Sequence, residues 1–340
     1  MFKELPVPCK GSLAPFVQKL ESMAATDRDG PIRAIRRIPA RPAEYGEFPE
    51  QINSKLRQVL AMCGIEKLYT HQADANNRIA AGKNVVIVTP TASGKTLCYN
   101  LPVLNRLTVE PGARAIYLFP TKALAEDQLD ELNSLIEDMG SDICAFTFDG
   151  DTPQDARRAI RQRAGVVLTN PDMLHSGILP HHTKWAKVFE NLKYVVIDEL
   201  HYYRGVYGSH LGNIMRRLAR LCEFYGSKPQ FIACSATIAN PKELAEALME
   251  TPFELIDRNG APAGEKTFVC YNPPVVNRQL GIRRSYINET RRIALELLDH
   301  QQQTLVFANS QNGKHFSYLF NDMTISLLAR HLRFHIVKPM

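Results

Sequence analysis

The stretch Asn84–Asn100, NVVIVTPTASGKTLCYN, constrains the fold more tightly than any other part of the chain. Val85 to Thr89 are all β-branched, the pattern of a strand buried on both faces of a parallel sheet. Pro90, Thr91, Ala92, Ser93 and Gly94 cannot extend that strand, and they bend the backbone. Lys95 and Thr96 then open an apolar helix. This order brings loop N–H groups and the positive end of a helix to one point, a ready site for a phosphate anion. Thr91, Ala92, Ser93 and Gly94 would line the cradle, Lys95 would add a point charge, and the Thr96 hydroxyl could sit on Mg²⁺. Thr89 stands where the G-x-x-x-x-G-K-[ST] pattern has its first glycine, so the assignment depends on the surrounding chain.

The surrounding chain alternates. A helix around Ile52, Leu56, Val59, Leu60 and Cys63 ends at Gly64, and a second runs through LYTHQADANNRIAA to Gly82. Downstream of the loop, apolar strands at 115–120, 143–148, 166–169, 194–198 and 231–235 are separated by helical segments. Thr152 with Pro153, and Asn240 with Glu243, read as helix starts, the second as a capping box. Strands alternating with helices imply βαβ units, and hence an α/β fold with a mostly parallel sheet flanked by helices.

The sequence of 340 residues suggests about two domains. The expected division is an irregular basic arm over 1–50, a phosphate-binding domain over 51–255, a rim and linker over 256–302, and the start of something new over 303–340. The arm, RAIRRIPARPAEYGEFP, has four Arg and three Pro, and reads as a surface linker or as a phosphate-contacting segment. A net charge of +6 is compatible with a nucleic-acid partner. Seven cysteines without a C-x-x-C read as reduced thiols, and no run approaches the ~18 apolar residues of a membrane span. A soluble, cytoplasmic protein is expected.

Asp198-Glu199-Leu200-His201 follows the run YVVI. A carboxylate at the end of a buried parallel strand lies at the ligand edge of such a sheet. There Asp198 can hold Mg²⁺ and Glu199 can polarise an attacking water. Gln72 carries an amide able to read adenine bidentately. Ser235-Ala236-Thr237 ends the FIAC strand, where it is either a helix cap or a link from the Asp198 site to a second lobe. His175, His181 and His182 have no cysteine nearby and are expected to pack or touch nucleic acid rather than bind metal. Tyr202, Tyr203, Arg204 and Tyr207 could stack bases or anchor their loop. Arg157, Arg158, Arg161 and Arg163 read as a solvated helix face.

Gln72, TPTASGKT (89–96), PTKALAEDQ (120–128), TNPDML (169–174), DELH (198–201) and SAT (235–237) occur in this order. Together they resemble the first RecA-like lobe of superfamily 2 DEAD/DEAH-box helicases. The longer phrases TPTASGKTLCYNLPVL, TNPDMLHSGILPHHTKW, VIDELHYYRGVYGSH and CSATIANPKEL resemble the MrfA/YprA-type DNA helicases, relatives of the RecQ-like repair helicases with 3′→5′ polarity. The resemblance covers residues from about 35 to about 310. It implies a RecA-like P-loop NTPase domain that uses ATP and Mg²⁺ on single-stranded or tailed duplex DNA. The chain would act as a monomer, with a partner nuclease left open. Lys95, Asp198, Glu199 and His201 would be catalytic, with His201 as the coupling residue, and Ser235, Ala236 and Thr237 would couple ATP to motion. Gln72 and 91–96 would bind the nucleotide, and Thr96 and Asp198 the Mg²⁺. Thr121, Lys122, Thr169, Asn170 and Pro171 would follow the nucleic-acid backbone. LVFANS (305–310) resembles the first strand of a second lobe, and no further second-lobe motif follows it. The expectation is thus an incomplete second lobe in a truncated chain that binds ATP and DNA without unwinding. A DEAD-box RNA helicase is the alternative, disfavoured by DELH in place of DEAD.

Overall fold

Val85–Val88, the strand that leads into the loop, is wholly buried. In the computed structural model it belongs to a seven-stranded sheet. The order is Glu254–Ile256, Val85–Val88, Gln230–Ser235, Leu192–Ile197, Arg114–Leu118, Val166–Thr169 and Ala145–Thr147. Every neighbouring pair is parallel. The structure describes residues 13–27, 30–302, 304 and 306, and the backbone of 332–336.

Alternation of side chains across the pleat divides the strands between two cores. Val85, Ile87, Ala115, Tyr117, Val196, Ile232 and Cys234 face one, with Leu56, Leu60, Ile79, Leu104 and Leu132 from the covering helices. Val86, Val88, Ile116, Leu118, Val195, Ile197 and Ala233 face the other, with Trp185, Phe189, Leu211, Met215 and Leu248. With both faces covered, the strands have no polar face, which is why they read as continuous apolar runs.

The chain forms two compact units, residues 43–262 holding this sheet, and residues 1–42 with 263–340 forming the other. In the second unit, Ile32–Ile38 pairs antiparallel with Lys266–Tyr271, and the Leu332–Ile336 backbone pairs parallel with the latter. The helices Ala14–Thr26 and Tyr286–Asp299 contribute Phe16, Val17, Leu20, Ile293 and Leu297 to a small core with Ile32, Val269 and Tyr271. The segment expected to be an irregular arm thus contains a helix and a strand. The core that Phe16, Val17, Leu20 and Ile32 share is completed by Val269, Tyr271, Ile293 and Leu297, more than two hundred positions later, which local periodicity does not register. The expected lobe-like strand at 303–310 and the tail lie outside the described residues, apart from 304, 306 and the backbone of 332–336.

Two expected helix starts are corrected. The helix after the Asp149 turn begins at Gln154, because the Thr152 hydroxyl is held by Asp149, accepting from its N–H at 2.9 Å. Asn240 flanks the helix Pro241–Met249 but makes no side-chain cap bond, so the capping box with Glu243 does not form.

Candidate functional site

The loop between Val88 and Lys95 is closed by its own atoms. The Thr89 and Ser93 hydroxyls, both buried, lie 2.6 Å apart, and Lys95 Nζ donates to the Thr89 carbonyl at 2.9 Å. Thr91 and Ala92 are exposed at the tip, Ala92 with φ +61°. Gly94 precedes the helix Lys95–Val109 with φ +77°, and a Cβ there would lie 2.6 Å from Gln72 Nε2. Both the left-handed backbone and the missing side chain are needed at this position. Gln72 donates from Nε2 to the Gly94 carbonyl and accepts at Oε1 from the Tyr69 N–H, both at 2.9 Å. The expected adenine reader is therefore buried and clamps the loop in this conformation.

Asp198 leaves the strand Leu192–Ile197 two sheet positions from the loop strand. Its Oδ1 accepts from the Glu199 N–H at 2.7 Å, and its Oδ2 stands 3.2 Å from the Tyr99 hydroxyl. Desolvation, reinforced by the Glu199 charge, pushes the Asp198 carboxyl up to about 6 against the opposing effects of the Glu199 N–H, Tyr99 and Lys95. Tyr99 projects from the loop helix beside Thr96, and its hydroxyl also reaches Gln128 Oε1 at 2.9 Å. One phenolic proton serves Gln128 or Asp198, so Tyr99 joins the loop helix to both. Nothing local in the sequence marks Tyr99 or Gln128 as members of the site; their roles depend on neighbours 29 and 99 positions away.

Glu199 sits at φ +52°, uncommon for a side chain with a Cβ, and this turns it toward His201. His201 Nδ1 lies 3.1 Å from Glu199 Oε2 and 3.2 Å from the Ala236 N–H. One nitrogen cannot donate to the carboxylate and accept from the amide at once, so the proton on Nδ1 selects between Glu199 and the Ser235–Thr237 segment. Ser235 is buried with its hydroxyl on the Ala236 carbonyl, and Thr237 is exposed.

The strand ends at Leu118 and Thr169 are adjacent, and they bring Thr121, Lys122, Thr169 and Asn170 around one small cavity. The four do not present themselves alike. Thr121 caps its helix through a bond from the Leu124 N–H, and Asn170 Oδ1 accepts from Met173 N–H at 2.8 Å. Lys122 is exposed and pairs with Asp151, with Asp149 at 3.9 Å. The Thr169 hydroxyl is buried and donates to the Phe148 carbonyl at 2.6 Å, and Pro171 is buried, so neither side chain offers a polar group to a strand of nucleic acid. Their part here is to set the turn that carries Asn170.

Other candidates resolve individually. His182 Nδ1 meets the Tyr225 hydroxyl at 2.8 Å, and Arg217 approaches His175 Nδ1 at 3.3 Å. Tyr203 is fully buried and stacked on Tyr207 with ring centroids 5.6 Å apart, which anchors the loop, while Tyr202 stays exposed. Arg157 is not a solvated side chain: it donates to the Thr152, Asp149 and Gly150 carbonyls and lies over the Phe148 ring. Cys98 and Cys234 are buried beside the loop helix, where desolvation pushes both thiols up, Cys98 to about 12.

Among the described residues no helix is long and apolar enough to cross a membrane. A family model described as DEAD/DEAH box helicase matches residues 69–244. The chain is 57% identical over 274 residues to the uncharacterized ATP-dependent helicase YprA of Bacillus subtilis, covering 81% of this chain and 37% of that protein. It is 38% identical over 296 residues to ATP-dependent helicase HRQ1 of Saccharomyces cerevisiae, covering 85% of this chain and 27% of the relative. Among solved structures it is similar to the DUF1998 helicase MrfA bound to DNA and AMPPNP, with TM-score 0.84 and 51% identity over 91% of this chain and 44% of that one. The chain therefore spans less than half the length of these relatives. The sheet is the RecA-like domain of those helicases, and a match across half the chain places this protein in the DEAD/DEAH box helicase family.

Proposed function

We propose that this chain is the ATP-hydrolysing portion of a DNA helicase of the 3′→5′, repair-associated kind, acting in the cytoplasm as a monomer. The observation that carries this reading is the meeting, at one sheet edge, of the Gly94-Lys95-Thr96 loop with Asp198-Glu199 through Tyr99. ATP would supply the phosphoanhydride bond and Mg²⁺ the compensating charge. The residues suit them: a left-handed glycine before a helix N-terminus, one ammonium, and a carboxylate short of cations. Lys95 would leave the Thr89 carbonyl for the phosphates, Thr96 and Asp198 would hold the metal, and Glu199 would orient the water. His201, shared between Glu199 and Ala236, would report the state of that carboxylate to Ser235–Thr237.

DNA as the polymer is supported by the DNA-bound MrfA structures and by the charge of the smaller unit. Residues 1–42 with 263–340 carry 18 Lys/Arg against 9 Asp/Glu, whereas residues 43–262 carry 23 against 26. The net charge favours approach of a long polyanion to the first over the second. The test is ATP hydrolysis by the purified chain, with single-stranded DNA, with RNA and alone. Stimulation by DNA only, abolished in Lys95→Ala, is expected. Equal stimulation by RNA would favour an RNA helicase, and binding of both ligands without turnover would favour a binding fragment.

A further inference from the structure

His71, next to Gln72 in the first turn of the helix Thr70–Ala80, has no part in the chemistry above, yet it is fully buried between two backbone segments. Its Nε2 lies 3.1 Å from the Ser93 carbonyl in the phosphate loop, and its Nδ1 lies 3.3 Å from the Gly260 N–H. A carbonyl only accepts and an amide N–H only donates, so these two contacts require the neutral ring protonated at Nε2. The Tyr69 ring lies nearly parallel to the imidazole, 13° between planes with centroids 6.0 Å apart.

Gly260 is a pin rather than a passing contact. A Cβ there would lie 2.2 Å from Thr70 Oγ1 and 2.6 Å from the Glu44 carbonyl, so only glycine fits. Its own carbonyl accepts from the Glu44 N–H at 2.8 Å, and Glu44 in turn accepts from the Thr70 N–H at 2.9 Å. Glu44 stands just after the chain enters the sheet lobe at Ala43, and Gly260 just before it leaves at Pro262. Both crossings of the chain are thus tied at one place, and His71 joins that place to the loop.

We propose that His71 is a positioning residue that relays the state of the phosphate loop to the paired Glu44 and Gly260 segments through which the chain enters and leaves the lobe. The relay rests on the nucleotide-binding reading above. When the Ser93 carbonyl is redirected by a phosphate in the loop, the Nε2–H bond changes, and the ring transmits this to the Gly260 N–H.

Two conservative variants separate the halves of the relay. In His71→Asn the amide oxygen takes the place of Nδ1 and keeps the Gly260 bond while losing Ser93. In His71→Gln the amide nitrogen takes the place of Nε2 and keeps Ser93 while losing Gly260. Hydrogen exchange at Gly260 in the ligand-free chain should speed up roughly tenfold in His71→Gln and little in His71→Asn. The Kd for a fluorescent methylanthraniloyl-ATP with Mg²⁺ should rise about three- to tenfold in His71→Asn and less than about twofold in His71→Gln. In the unaltered chain, the nucleotide should change exchange at Gly260; in both variants that response should be lost. Imidazole ¹⁵N shifts should report the Nε2–H tautomer. Equal behaviour of the two variants in both readouts, or an Nδ1–H ring, would overturn the relay while leaving nucleotide binding intact. Failure of the unaltered chain to bind the nucleotide would sink the functional reading, and the relay with it.

Discussion

Asp198 in the sheet lobe and Glu289 in the smaller unit each take a carboxylate out of water, with opposite results. Glu289 is 3% exposed. Desolvation works against its charge, but the Tyr271 hydroxyl at 2.6 Å, Arg292 at 3.0 Å and Arg284 at 3.4 Å hold it below the usual glutamate range. Asp198 meets one amide, one shared phenol and, among the described residues, no cation within ion-pair distance, and desolvation pushes it up to about 6. The difference distinguishes a carboxylate whose charge is compensated within the fold from one whose charge is not. A complete set of partners lowers the energy of the folded state, and a deficient set leaves energy for a ligand to recover.

Asp198→Asn puts the most weight on this contrast. Hydrolysis should fall on the order of 10²–10³-fold, since the charge proposed to hold Mg²⁺ is gone. The metal-free protein at pH 8 should nevertheless become more stable by roughly 1–2 kcal/mol, because an ionised, poorly paired carboxylate is replaced by a neutral amide. Urea midpoints and steady-state rates measured on one preparation decide it. A destabilised Asp198→Asn protein would make the aspartate structural, like Glu289.

Glu289→Gln should do the reverse: a loss of about 2 kcal/mol in the smaller unit, with ATP affinity of the sheet lobe unchanged. The two groups also predict opposite pH dependence. The raised Asp198 gives its stabilisation fully below the ordinary aspartate range and loses it as pH rises through about 6. The lowered Glu289 gives its stabilisation above the ordinary glutamate range and loses it as pH falls through its depressed value. Hydrogen exchange followed from pH 3 to 8 should therefore show the metal-free edge around Asp198 tightening in mild acid. The helix Tyr286–Asp299 should loosen only in stronger acid. Parallel loosening of both regions would erase the distinction.

The same contrast explains what was legible in the sequence. The loop, Asp198 and Ser235 were readable because each ends a run of apolar residues buried on both faces, and that run needs no distant partner to be recognised. The helix Ala14–Thr26 was not, because its buried Phe16, Val17 and Leu20 match Val269, Ile293 and Leu297, far along the chain. The hydrogen bonds of Thr169 and Gln72 are internal, a property of three-dimensional closure rather than of residue type. His71 and Tyr99 were missed for that reason: an imidazole and a phenol inside a helix look like ordinary packing until the carbonyl or carboxylate opposite them is known.

Tyr99→Phe is a finer probe of how Asp198 is kept short of partners. It removes the hydroxyl shared with Gln128, so the Asp198 carboxyl should rise further, and the acid limb of the hydrolysis profile should move upward by less than about one pH unit. No shift would mean that the phenol serves Gln128 alone.

Tyr203→Phe tests the smallest effect, and its sign is informative. Tyr203 is fully buried two residues after His201, the last of DELH, and its hydroxyl has no hydrogen-bond partner among the described residues. Its ring does the anchoring, stacked on Tyr207 and edge-on to Tyr202. Removing a buried hydroxyl that lacks a partner costs nothing in bonding and relieves desolvation, so stability should stay within about 0.5 kcal/mol or rise. Hydrolysis should be unchanged, because Asp198 draws its phenolic contact from Tyr99. A marked loss of DNA-stimulated turnover in Tyr203→Phe, with stability intact, would give that hydroxyl a ligand, and would make Tyr203 a second group held in reserve beside the raised carboxylate.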